Sequence, residues 1–274
     1  MDELDMTTKN NKKLRPYWHV DLKWIFGILL FFSLGTCLLF FNLSGLTEKD
    51  RAVTLSANIV AGLFSKDGLD DEKSITEFRE KAAITPGDTV VPVEQFPWLQ
   101  ISKKDALSLG ARDLRIAIFR QLTEPIYDKG VAGVAADISK DPAEQEKFVQ
   151  QAVFLNAFTK STHSVFQFIF WITAATSVLL LAGLVYFSNG WGRLVSPGIV
   201  LLLASPIGTL AGILLLHPPT NGDGPFAQVP QNIAQDIGNS LNNSYSATII
   251  LGILLLVAAL IGKIVQALLR HRDK

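Results

Sequence analysis

Residues 141–187 read DPAEQEKFVQQAVFLNAFTKSTHSVFQFIFWITAATSVLLLAGLVYF, and this stretch decides the fold. Asp141 can cap a helix, Pro142 suits the first helical position, and Glu144 can close a capping box. No helix breaker follows before Asn189-Gly190. The first half is amphipathic and the second is an uncharged apolar run. The pattern predicts one helix, roughly 69 Å long at about 1.5 Å per residue. Bilayer hydrocarbon takes only about 30 Å of that. The remainder is expected to stand outside the membrane as a stalk.

Three further apolar stretches share the character of 164–187. They cover 24–42, 194–216 and 245–262. Each reaches or approaches the ~20 residues of a spanning helix. The first is longer than a signal peptide's apolar core, and no small-residue cleavage pattern follows it. The fold class is therefore an all-α membrane protein. It has four transmembrane helices and a helical extracytoplasmic domain between the first and second. No Asp, Glu, Lys or Arg lies within the four cores. Ion pumps, proton-coupled carriers and voltage sensors usually carry charge there, so a transporter or pore is disfavoured. The hydroxyls of Thr173, Thr176, Ser177, Ser205 and Thr209 are expected to bond their own helix backbone.

Orientation follows from the basic flanks. Segment 1–23 carries Lys9, Lys12, Lys13, Arg15 and Lys23, and tail 263–274 carries Lys263, Arg270, Arg272 and Lys274. Both termini are expected in the cytoplasm, with the 188–193 turn and its Arg193. Residues 43–163 and the 217–244 loop, which has no Lys or Arg, then face the opposite side. The 274 residues hold 25 basic and 25 acidic side chains, so no nucleic-acid partner is implied. Cys37 is the one cysteine, so an intrachain disulfide is excluded. A cysteine-free outer domain favours a prokaryotic cytoplasmic membrane over other locations.

Within 43–163, Ala52, Leu55, Ile59, Val60 and Leu63 recur at helical spacing. The first span is expected to continue through them to about Phe64. That second stalk should pair, antiparallel, with the one after Asp141. Ser74-x-x-Glu77 predicts a short capped helix. Pro86, Pro92 and Pro97 break 84–101, where Thr89-Val90-Val91 reads as extended and Phe96 and Trp98 flank Pro97. A helix is predicted from Ser102, ending at Pro125–Gly130. In the 217–244 loop, Ile233, Ile237 and Leu241 recur every fourth residue. They predict a short amphipathic helix from Pro230 on the outer lipid surface. In the third span, Ala204-x-x-x-Gly208-x-x-x-Gly212 permits close helix approach, inside the protein or between copies, and Pro206 should bend the helix mildly. Asn42-Leu43-Ser44 and Asn242-Asn243-Ser244 match the glycosylation sequon by pattern alone.

The sequence carries no phosphate-binding glycine loop, metal-binding cysteine pair, His-Glu-x-x-His run or nucleophile elbow, and no resident cofactor is expected. One pair of side chains offers chemistry. His163 and His217 fall at the outer ends of spans two and three, hence at one membrane depth. Together, with Asp223 or Asp236 near, they could ligate metal or haem, or move protons as catalytic acid and base on a lipid-borne substrate. Claudin-like proteins and tetraspanins carry outer-loop cysteines, which 43–163 lacks. The leading functional expectation is an interaction, scaffold or sensor-like subunit. Its partners would be the lipid bilayer and a protein or a second copy. The alternative is a membrane enzyme acting at the outer lipid surface through His163 and His217. A cytoplasm-dependent reporter inserted within 188–193 is expected to be active in cells; activity there of an export-dependent reporter instead would reverse the assigned orientation.

Overall fold

A computed structural model describes residues 18–64, 72–92, 99–216 and 231–272. Helices dominate it: α1 Trp18–Leu46, α2 Lys49–Phe64, α3 Lys73–Ile84, α4 Lys103–Ser108, α5 Ala111–Ile138, α6 Pro142–Ala152, α7 Lys160–Phe187, α8 Gly192–Ala204, α9 Pro206–Leu216 and α10 Gln231–Arg272. A two-residue strand β1, Thr89–Val90, pairs antiparallel with β2, Ile101–Ser102. Four segments are long and apolar enough to cross a membrane: Val20–Leu46, Pro142–Phe187, Gly192–Leu216 and Ile237–His271.

The stretch from 141 to 187 is not one rod. Its start is as expected: Asp141 accepts the Ala143 N–H at 3.0 Å. The capping box, however, runs through Ser139. The Asp141 N–H donates to Ser139 Oγ, which donates onward to Glu144 Oε2. Past Ala152 the chain tightens into a 3₁₀ turn, Val153–Phe158, and Thr159 is extended at φ −93, ψ 159. Thr159 then caps α7, its hydroxyl accepting the Thr162 N–H at 3.4 Å. Tertiary demands explain the break. Leu155 sinks into the core, and Asn156 Oδ1 accepts the Val131 N–H at 3.3 Å.

Span one also stops short of the expected stalk. After Leu46 the helix ends, and α2 restarts at Lys49. Buried Thr47 closes α1 from below, its hydroxyl donating to Leu43 C=O at 2.8 Å. The two expected stalks do not pair chiefly with each other, because α5 is the main packing partner of both α2 and α6. The core around α5 includes Leu114, Ile118, Leu122, Ile126, Val131 and Val134, joined by Val60, Ile75, Leu99, Ile101 and Leu155. Lys49 bridges from the start of α2 to Asp128 and Glu124 on α5. The Asp128 hydrogen bond, with Glu124 adding, raises its pKa above the ordinary 10.5. Exposed pairs of this kind add little stability.

Helix boundaries differ in five further places. Ser102 caps as predicted, accepting the Asp105 N–H at 3.0 Å, but α4 stops at Ser108 and α5 restarts after Gly110. The α5 segment passes Pro125 and Gly130 instead of ending there, with a kink at Gly130. Helix α3 begins at Lys73 after Glu72, so Ser74 is inside it and does not cap it. The helix predicted from Pro230 and the fourth span form one 42-residue helix, α10. The bend at Pro206 is a full division of span three into α8 and α9. There Ser205 Oγ donates to Leu201 C=O at 2.7 Å. Phe96, Pro97 and Trp98 lie outside the described residues.

The described chain separates into two compact units. One contains 18–35, 173–205 and 247–272. In it Leu30, Leu184 and Val200 pack with Phe26, Phe31 and Leu180. Ser33 Oγ lies 2.9 Å from Ser177 Oγ, and Trp191 donates to Gln266 Oε1 at 2.8 Å. Gly198 and Gly252 let α8 and α10 touch: a Cβ on either would sit 3.0–3.1 Å from the other's carbonyl oxygen. The second unit contains the bundle around α5, the end of α1, α9 and the start of α10.

Gly130 sits at φ 75, ψ 168, a region closed to residues with a Cβ. Gly130→Ala should therefore destabilise the α5 bundle by about 1–3 kcal/mol. Thermal unfolding of the purified protein should show a lowered midpoint; an unchanged midpoint would mean that the kink is not held.

Candidate functional site

The second unit has a polar seam where the end of α1 meets the first half of α10. Asn42, at the close of an apolar span, is 2 % exposed. A primary amide there must find partners, since water cannot reach it. Its Nδ2 donates to Leu38 C=O at 2.8 Å and to Ser244 Oγ at 2.9 Å. Its Oδ1 lies 3.2 Å from Ser240 Oγ and 3.0 Å from Ser244 Oγ. Ser240 and Ser244 are four apart, so one face of α10 presents both hydroxyls to a single amide. This explains why the polar start of α10 continues the span. Its hydroxyls are satisfied by protein and need no lipid surface.

Close approach on the other side of α10 comes from α9. A Cβ on Gly208 would fall 2.1 Å from the Tyr245 ring, and one on Gly212 would fall 3.0 Å from Gly238 O. These two glycines of the small-residue row thus pack inside the protein. Ala204, the row's first member, is buried in α8, across the division at Ser205.

Two pockets open beside this seam. The larger, about 800 Å³, is lined by Asp50, Arg51, Thr54 and Asn58 of α2 and by Asn239, Ser240, Asn243 and Ser244 of α10. The smaller, about 330 Å³, is lined by Phe41, Ser44, Glu48, Arg51, His163, Gln167, Phe170, Trp171 and Ser240, among others. Phe41, Arg51 and Ser240 line both. Asp50 lies 3.4 Å from Arg120 Nη2. The Arg51 guanidinium makes no hydrogen bond or ion pair with a described residue.

His163 is in the wall of the smaller pocket. Its Nδ1 is 3.1 Å from Ser44 C=O and 3.2 Å from Thr47 Oγ1. A carbonyl can only accept, so Nδ1 donates to it. The imidazole is thereby fixed to the cap of α1. His217, its predicted mate, lies outside the described residues, as does Asp223, and nothing is described of the Asp236 side chain. Among the described residues no three His, Cys, Asp or Glu side chains gather as metal ligands do.

The cleft can hold a polar group through amides, hydroxyls and one guanidinium. Sequence reading missed it, although two signals were present. One is an Asn at the end of an apolar run. The other is the Ser240-x-x-x-Ser244 spacing. Comparison with protein-family models, curated proteins and solved structures finds no match to this chain.

Replacing Asn42 by Ala removes the acceptor that Ser240 and Ser244 share, although the Ser244 hydroxyl keeps the Ser240 and Leu241 carbonyls. A loss of about 1–2 kcal/mol is expected in detergent-solubilised protein. Combined with Ser240→Ala/Ser244→Ala, the cost should fall well short of additivity in a double-mutant cycle; strict additivity would show that the three side chains act separately.

Proposed function

We propose that the chain is an integral membrane interaction subunit of sensor-like build. Its helical segment 43–163 lies on the extracytoplasmic side, its termini lie in the cytoplasm, and it sits in a plasma membrane of prokaryotic type. The cleft beside Arg51 receives a polar group of a partner protein or envelope component. The observation that carries this reading is the larger pocket. It offers Asn58, Asn239 and Asn243 together with an Arg51 that has no described ion-pair partner. Such groups confer specificity through hydrogen bonds and leave no obvious reacting atom. The basic ends and uncharged spans support the orientation.

An enzyme reading through His163 and His217 keeps one specific support. The His163 ring is held by Nδ1, as a catalytic imidazole is held, and Nε2 makes no described hydrogen bond. The same geometry serves equally as a clamp on the α1 cap.

Photo-reactive residues placed at Thr54 and Asn243 test the interaction reading in native membranes. They should give a discrete adduct that Arg51→Ala weakens, whereas a probe at exposed Glu80 should not. An adduct of two chain masses identifies the partner as a second copy. Equal labelling from Thr54, Asn243 and Glu80 would overturn the reading.

A further inference from the structure

The smaller pocket holds two opposite charges that ignore each other. Glu48, the residue before α2, and Arg51 in its first turn are three apart, a spacing at which side chains can meet. Yet no ion pair within 4.0 Å joins them, and neither side chain bonds to another described residue. Both line the same cavity of about 330 Å³. Nearby acids do not account for this: Glu124 and Asp128 are taken by Lys49, and Asp50 lies by Arg120.

The rest of the cavity is apolar and aromatic. Phe41 and Phe170 pack with ring centroids 5.7 Å apart, and Phe170 and Trp171 with centroids 5.0 Å apart. Phe41 and Trp171 belong to membrane-spanning segments and are 49 % and 63 % exposed. The cavity thus runs from an aromatic, lipid-facing wall to a charged wall just beyond the end of a span. Aromatic rings and charges in that order mark the membrane interface.

We propose that this cavity binds a zwitterionic phospholipid headgroup bearing a primary ammonium, of the phosphatidylethanolamine class. The phosphodiester pairs with Arg51, whose planar fork matches phosphate oxygens. The ammonium pairs with Glu48. Gln167 can hydrogen-bond the phosphodiester, and the acyl chains leave along Phe41 and Trp171. One ligand of net charge zero then satisfies both unpaired groups, which neither an anionic lipid nor a simple cation does. Because Arg51 lines both pockets, a lipid held here would compete with a partner in the larger pocket for its guanidinium, and lipid retention by the isolated chain tells the two readings apart.

The test uses the full chain, purified in detergent, with native mass spectrometry counting bound lipid. Phosphatidylethanolamine, phosphatidylcholine and phosphatidylglycerol of matched chains are added separately, with chain-free phosphoethanolamine as a fourth arm. Phosphatidylethanolamine should bind tightest, with one molecule retained per chain. Arg51→Gln should weaken it about tenfold or more, as expected for loss of one charge-assisted contact. Glu48→Gln should erase the preference for phosphatidylethanolamine over phosphatidylcholine while leaving phosphate-dependent binding. Both residues are exposed, so unchanged lipid-free unfolding midpoints will show that the variants fold. Equal retention of phosphatidylglycerol, or retention indifferent to both substitutions, overturns the proposal. Chain-free phosphoethanolamine binding as well as the lipid would assign the headgroup chemistry to a soluble ligand and overturn the lipid assignment.

Discussion

The amide of Asn42 sets the terms for the second unit. A buried amide without partners would cost more than most single contacts can restore. It has partners because α10 arrives with Ser240 and Ser244 one turn apart. It can arrive only because Gly208, Gly212 and Gly238 leave room on its other flank. The first half of α10 therefore packs one face on the protein despite its polar sequence. The larger pocket is walled by this polar face as it continues past the network, from Ser244 back to Asn239, and by the start of α2.

How much of this was legible follows from where each constraint originates. The four apolar segments could be read directly. In lipid every backbone group must bond within its own segment, so a spanning helix announces itself by length and composition. The caps at Asp141 and Ser102 were also legible, because they are local. The breaks were not. Thr47 and Thr159 are tolerated inside helices, and only the fold shows that their hydroxyls are spent as caps. At Gly130 the kink needs an acceptor for the Val131 N–H, and Asn156 supplies it from 25 residues along the chain. The pattern Ile233, Ile237, Leu241 suggests a helix on a surface, but periodicity cannot distinguish lipid headgroups from Asn42.

The candidate site divides in the same way. His163 drew attention because histidine has chemistry of its own, yet its described contacts are to Ser44 and Thr47 at the end of α1. In the sequence, Glu48 and Arg51 sit in one run of charge with Lys49 and Asp50. What sets them apart is a negative property, the lack of a described partner, which no sequence pattern encodes.

The imidazole of His163 has a structural consequence. The chain leaves the apolar part of α1 through one joint, at Thr47–Glu48, and re-enters α7 through another, at Thr159. Each joint is a helix end closed by a threonine. His163, on the first turn of α7, grips the first joint through a single ring nitrogen. With the Phe40–Phe166 and Phe41–Phe170 ring contacts beside it, that grip brings the chain's exit from α1 and its entry into α7 to one place, so the bundle around α5 is entered and left through neighbouring helix ends.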